Sequence, residues 1–183
     1  LYSRHPRTTM TQETHPPVAR RALLSAVAVL GLASTLLLTG CGTRDPAPDS
    51  TFVLLDGAKT TTADLKGKVT LVNFWATTCV SCVKEMPALA STYNKYKDQG
   101  FDNVAVSMSY DPPAWVLNFA QTRQLPFKVA LDNTGEIAQS WGDVKLTPTT
   151  YLVDKQGRIV KRYVGEPDFA ALHTLIEKLL AQS

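Results

Sequence analysis

The chain has little of the residues on which cross-linked or metal-bound folds depend. Among 183 residues there are only three cysteines, three histidines and three methionines. Three cysteines cannot supply a disulfide framework for a chain this long, nor a four-cysteine zinc site. Charged residues are also modest, at 19% against 44% hydrophobic, a balance that excludes disordered and collagen-like chains. No internal repeat and no low-complexity tract is present. The net charge of +3 is the one feature that invites a nucleic-acid partner, and it is unevenly placed. Residues 1–40 hold Arg4, Arg7, Arg20 and Arg21 against Glu13 alone, whereas from Cys41 onward fifteen basic and fifteen acidic residues cancel. The excess belongs to the N-terminal segment, and the remainder gives no ground for nucleic-acid binding.

That segment reads as a targeting signal. Ala22–Leu38 carries no charge and follows Arg20 and Arg21. A basic patch, an apolar run and a small-residue exit make a secretory signal, with Met10 as the expected biological start. An uncleaved membrane anchor is the alternative, although 17 residues sit at the short limit for a span. Leu38-Thr39-Gly40-Cys41 resembles the bacterial lipobox, which implies acylation of Cys41 and anchoring to a membrane of the cell envelope; several acyl chains anchor stably where one does not. The neighbours Ala19 and Ala22 fit twin-arginine export poorly, so Sec export is expected. Gly42–Ser50 is rich in turn formers and reaches about 30 Å when extended. The expected organisation is a lipoprotein signal at 1–40, a lipidated N-terminus and tether at 41–50, and one domain at 51–183, ample for its own core.

Within that domain strands and helices alternate. Phe52–Leu55 reads as a short strand ended by Asp56-Gly57, with a polar turn over Thr60–Gly67. Val69–Trp75 and Phe101–Met108 are nearly continuous apolar runs, the pattern of strands buried on both faces. Helices are expected over Val80–Asp98, stopped by Gly100, over Pro113–Gln124, and around Glu136–Trp141 after a strand at Phe127–Leu131. Thr149–Val153 and Arg158–Val164 form a hairpin about the Asp154–Gly157 turn. A closing amphipathic helix, Pro167–Ala181, puts Phe169, Leu172, Leu175, Ile176 and Leu179 on one face. The expected fold class is α/β, a mixed sheet with helices on both faces.

The chemistry falls at a strand–helix junction, Cys79-Val80-Ser81-Cys82. Cysteines three apart on a helical turn lie close enough for a disulfide after small adjustments. A helix N-terminus offers unpaired N–H groups and partial positive charge, and both stabilise a thiolate, the attacking species. Cys79, at or before the first turn, is the expected nucleophile; Cys82, one turn inward, is the expected resolving thiol. A purely structural disulfide closing so small a loop would stabilise little. Zinc lacks ligands, since after Cys41 there remain two cysteines and His173, which reads as a surface or packing residue of the last helix. Copper(I) held by the two thiolates stays open.

Val72-Asn73-Phe74-Trp75-Ala76-Thr77-Thr78-Cys79-Val80-Ser81-Cys82-Val83-Lys84-Glu85-Met86-Pro87 resembles the TlpA/ResA-like, membrane-tethered branch of the thioredoxin superfamily, and the resemblance extends over the whole of 51–183. It implies a thioredoxin-like fold, a redox-active Cys79–Cys82 disulfide and a helix kinked at Pro87. Leu146-Thr147-Pro148-Thr149-Thr150 resembles the family's cis-proline loop. The resemblance therefore implies a cis Thr147–Pro148 bond, Pro148 against the cysteine pair, and Thr147 pairing with substrate backbone. Glu85, three residues beyond Cys82 on the same helix face, matches a glutamate of this branch and would relay the Cys82 proton; a solvated helix glutamate is the plain alternative. Trp75 is a candidate for the substrate-contacting surface, with packing its default role.

Three positions depart from the wider superfamily. Asn73 stands where thioredoxin has a buried aspartate, Thr78 where many relatives have tryptophan, and Ser81 where the proline before the second cysteine is usual.

The resemblance implies a disulfide reductase of the bacterial envelope. It would be kept reduced by a membrane thiol-transfer protein, act on protein disulfides including those of apocytochrome c, work as a monomer, and need no cofactor or metal. Two alternatives stand beside it. One is a copper(I)-binding module. The other is a redoxin-type peroxidase, whose Pro-x-x-x-Thr-x-x-Cys setting is not met, because Val72 and Ala76 hold the proline and threonine places.

Overall fold

The structure, a computed structural model, describes residues 44–182. The expected signal segment at 1–40 and Cys41 lie outside those residues. Seven strands form one mixed sheet: β1 (Thr51–Leu54), β2 (Lys59–Thr61), β3 (Val69–Trp75), β4 (Phe101–Ser107), β5 (Lys128–Leu131), β6 (Thr149–Val153) and β7 (Ile159–Val164). Their order across the sheet is β2-β1-β5-β4-β3-β6-β7. The three central neighbours, β5, β4 and β3, run parallel; β1, β6 and the outer strands pair antiparallel. Every residue of β3, β4 and β6 is buried, which accounts for the largely apolar runs of β3 and β4.

Side chains alternate between the faces of these strands, so the sheet carries two cores. Val69, Leu71 and Trp75 of β3 pack with Phe101 and Ala105 of β4 on one face. Three helices cover that face: α1 (Val80–Tyr96), α2 (Pro113–Thr122) and, after the hairpin, a terminal helix, Phe169–Leu180. Val72, Phe74, Val104 and Val106 point to the other face, where the short helix Glu136–Ser140 brings Ile137 and Ala138, and Trp141 follows. In chain order the short helix is α3 and the terminal one α4. The fold is thioredoxin-like, an α/β sheet with helices on both faces.

Several boundaries follow from local chemistry. α1 gives way to a 3-10 turn at Lys97–Gln99, and Gly100 ends it at φ 90°, a left-handed conformation that suits glycine. Pro87 lies inside α1 without ending it. α4 is capped by Asp168, whose carboxylate accepts the N–H groups of Ala170 and Ala171. Leu172, Ile176 and Leu179 are its fully buried side chains, each worth about 1.5–3 kcal/mol of apolar burial.

One expectation is corrected. The stretch Thr60–Gly67 is not all turn: Lys59–Thr61 is an edge strand, paired as Thr51↔Thr61, Phe52↔Thr60 and Val53↔Lys59. Gly57, at φ 84°, closes the hairpin, and a strand exposed at the sheet edge needs no apolar alternation to announce it. Of residues 44–50, read from sequence as part of a tether, 44–47 lie along the start of β7, and Pro48 and Ser50 bond to Thr62. Ala47 donates its N–H to the Gly157 carbonyl at 2.9 Å, and Asp45 accepts the N–H of Ile159 at 2.8 Å. Arg44 reaches Asp154 at 3.0 Å.

Candidate active site

β3 is the sheet's second-innermost strand and ends at Trp75; the chain turns through Ala76, Thr77 and Thr78 and enters α1 with Cys79 as its N-cap. Cys79 and Cys82 are joined as a disulfide, with their Cα atoms 5.2 Å apart, so the structure is that of the oxidised protein. Cys79 is half-buried and Cys82 fully buried. The Cys79 sulfur accepts the backbone N–H of Cys82 at 3.2 Å, and the Ser81 hydroxyl stands 3.4 Å from it. When the bond opens, these two donors and the helix terminus face a sulfur that carries charge, which favours a thiolate at Cys79.

From across the sheet, the Thr147–Pro148 loop closes on the pair. Its peptide bond is cis, Pro148 is buried, and the Thr147 carbonyl lies 3.5 Å from the Cys79 sulfur. β6 begins one residue later and pairs with β3 (Phe74↔Thr149, Asn73↔Thr150), so strand register delivers the loop to the cysteines.

Beneath Cys82 lies a buried polar pair. Glu85 is fully buried, and its Oε1 accepts the Asn73 side-chain N–H at 3.0 Å; a second Asn73 N–H goes to the Thr150 hydroxyl at 2.8 Å. Glu85 Oε2 and Asn73 Oδ1 have no partner. Burial pushes the Glu85 carboxyl up to about 7, with the Asn73 hydrogen bond drawing it down and Glu166 repelling its charge. Glu85 is therefore not a solvated helix glutamate. It is a carboxyl that exchanges its proton near neutral pH, on the helix face it shares with Cys82.

Trp75, a candidate for the substrate-contacting surface, is fully buried with its ring on Phe119 at 5.1 Å. It supports the surface from below and does not form it. His173 is likewise a packing residue, bonded to Thr92 at 2.8 Å and edge-on to Tyr96.

One residue of the site escapes sequence reasoning. Asp111, in the loop after β4, is buried, and its carboxylate accepts both the N–H and the hydroxyl of Thr77, at 2.6 and 2.5 Å. It clamps the turn that presents Cys79. Read in sequence, Asp111-Pro112 only opens α2; the usable signal was its place just past the carboxyl end of a central strand, where α/β folds build their sites.

No group of three His, Cys, Asp or Glu side chains that could hold a metal ion occurs among the described residues. No helix among them is long and apolar enough to cross a membrane.

With this geometry in view, the similarities to known proteins are specific. The sequence pattern described as Redoxin matches residues 43–176. Thiol-disulfide oxidoreductase ResA of Bacillus thuringiensis subsp. konkukian (strain 97-27) is 37% identical over 133 residues, covering 73% of this chain and 76% of the relative. The solution structure of a candidate thioredoxin from Neisseria meningitidis superposes with a TM-score of 0.71 at 39% identity, over 77% of this chain and 93% of that one. A thiol:disulfide interchange protein of the thioredoxin family from Chlorobium tepidum TLS gives 0.70 at 26% identity, over 76% and 99%.

Proposed function

The chain belongs to the redoxin family and is a thiol-disulfide oxidoreductase, and from that premise we propose that it works as a disulfide reductase, with Cys79 as nucleophile and Cys82 as resolving thiol. The observation that carries the reading is the pair itself: a half-buried sulfur at a helix N-cap, bonded to a fully buried partner one turn inward.

The reduced protein starts the cycle. The Cys79 thiolate attacks one sulfur of a substrate disulfide, forming a mixed disulfide and expelling the other substrate sulfur as a thiolate. Cys82 then gives its proton to Glu85 and attacks the Cys79 sulfur. The mixed disulfide breaks, the second substrate thiolate leaves, and the Cys79–Cys82 disulfide of the structure is formed. Two electrons pass from protein to substrate. Glu85 suits the step because a carboxyl near pH 7 is part ionised, hence able to accept a proton, and returns it readily. Pro148 and the Thr147 carbonyl bound the nucleophile on the side from which a substrate backbone would approach.

The reading extends to substrates with oxidised cysteine pairs in the bacterial envelope, haem-binding cysteines of apocytochrome c among them, and to a membrane thiol-transfer protein as electron donor. Support for that setting comes from the uncharged run Ala22–Leu38 and the Leu38-Thr39-Gly40-Cys41 tetrad, which motivate export and lipidation at Cys41. Insulin-disulfide reduction tests the core of the proposal. Cys79→Ser abolishes it, and Cys82→Ala strands substrates on Cys79 as mixed disulfides; full activity in Cys79→Ser would refute the assignment. Peroxide consumption in the same preparations tests the peroxidase alternative, for which Val72 and Ala76 lack the required side chains.

A further inference from the structure

α2 is an anomaly among the helices. Of its ten residues only Val116 is buried, yet it is not polar: Trp115 is 57% exposed and Leu117 40%. The two lie two positions apart and so on different sides of the helix; Trp115 shares its side with Asn118, Phe119 and Thr122. Beside it lies a cleft of about 430 Å³, walled on one side by Thr77 and Thr78 and on the other by Trp115, Asn118, Phe119 and Arg123. Thr78 is the residue before Cys79, so the cleft opens at the nucleophile's shoulder. Phe119 and Arg123 also line a second hollow of about 210 Å³, floored by Met86, Pro87 and Ala90 of α1. The two hollows meet at those residues and form a trough along the seam of α1 and α2.

Arg123 is the only charged residue in either hollow. Its guanidinium lies over the Phe119 ring at 5.7 Å, and no carboxylate pairs with it among the described residues. A guanidinium held on an aromatic face with its fork of N–H groups open is built to receive a carboxylate in bidentate fashion.

We propose that this trough reads the substrate chain: it takes the polypeptide beside the reacting cysteine, with an aromatic or aliphatic side chain on Trp115 and Phe119 and a carboxylate on Arg123. The inference rests on the reductase reading and narrows its substrate class to extended chains with acidic and apolar residues next to the cysteine. A folded protein with a recessed disulfide would not reach along the seam. A small disulfide would leave it empty.

The test uses single-cysteine peptides whose thiol is blocked as a mixed disulfide with 2-mercaptoethanol, an uncharged leaving group. The peptides differ only beside the cysteine, where they carry Phe-Glu, Phe-Lys or Ser-Glu, and kcat/KM is measured for their reduction by the reduced protein. The protein favours Phe-Glu over Phe-Lys by about fivefold at low salt, the scale of a part-exposed ion pair, and the preference shrinks as salt screens it. Arg123→Glu reverses the order. Trp115→Ala removes the preference for Phe-Glu over Ser-Glu. Lys59→Glu, the same charge change on the sheet edge at β2, keeps the parent's Phe-Glu to Phe-Lys ratio. Equal rates for Phe-Glu and Phe-Lys overturn the proposal, as does an Arg123→Glu ratio like the parent's or a Lys59→Glu shift as large as that of Arg123→Glu. If no blocked peptide is reduced, the reductase reading itself fails and takes the proposal with it.

Discussion

At the residue scale the site depends on a few groups whose protons and hydrogen bonds are set by burial. Glu85 is fully buried with one oxygen unpartnered, and its pKa is raised from 4.5 to about 7. A carboxyl raised on folding adds its stability below pH 4.5 and loses it as pH climbs to about 7. The oxidised protein should therefore lose stability across that window. Glu85→Gln should remove the loss and be more stable above it by on the order of 2 kcal/mol, as read by urea unfolding at a series of pH values. On the proposed relay, the same variant should also lose the rise in reduction rate near neutral pH expected from ionisation of Glu85. Ser81 offers a separate test: without its hydroxyl near the Cys79 sulfur, Ser81→Ala should raise the Cys79 thiol pKa, measured by thiolate absorbance in the reduced protein. Much of this was legible in sequence, because Cys79, Cys82 and Glu85 are placed by helical spacing alone. Asp111 was not. Its partner Thr77 is 34 residues away, and only the parallel pairing of β3 with β4 brings them together.

At the scale of elements, α1 and α4 are clasped by a polar cluster near their seam. The Tyr96 hydroxyl donates to Glu177 at 2.5 Å, Lys95 reaches the same carboxylate at 3.2 Å, and His173 bonds Thr92. Burial, with Lys95 nearby, lowers the His173 pKa below 6.5, and Glu177 opposes the shift in part. A histidine depressed on folding adds stability above its unfolded pKa of 6.5 and loses it as pH falls through the folded value. Its acid-side loss runs opposite to the Glu85 effect, so it should be clearest in Glu85→Gln, and His173→Gln in that background should flatten it. Such elements were easy to foresee where they are buried. The face of Leu172, Ile176 and Leu179 in α4 and the runs of β3 and β4 obey the periodicities that burial imposes. β2 was missed because Lys59–Thr61, half-exposed at the sheet edge, is under no such demand. α2 was foreseen as a helix, but not that a tryptophan on it would face solvent.

At the scale of the molecule, a seven-stranded open sheet must manage two edges. One is β2, three residues long. The other is β7, whose start is occupied by the chain's own approach, with Pro46 bridging Arg158 in antiparallel fashion and hydrogen bonds from Ala47 to Gly157 and from Ile159 to Asp45. Asp154 anchors the same corner. Burial alone would raise its pKa, but hydrogen bonds from Arg158 and Arg44 outweigh this and hold the carboxyl below its ordinary value. Residues 44–47 thus cover the start of the β7 edge. A protein shortened to begin at Thr51 should self-associate at concentrations where one beginning at Thr43 stays dispersed, as light scattering would show. Equal dispersity would mean that Lys161 and Arg162, exposed on β7, suffice to keep that edge from aggregating. A protease that trimmed this short segment would leave the redox pair untouched and expose an unpaired strand edge to a second copy of the protein.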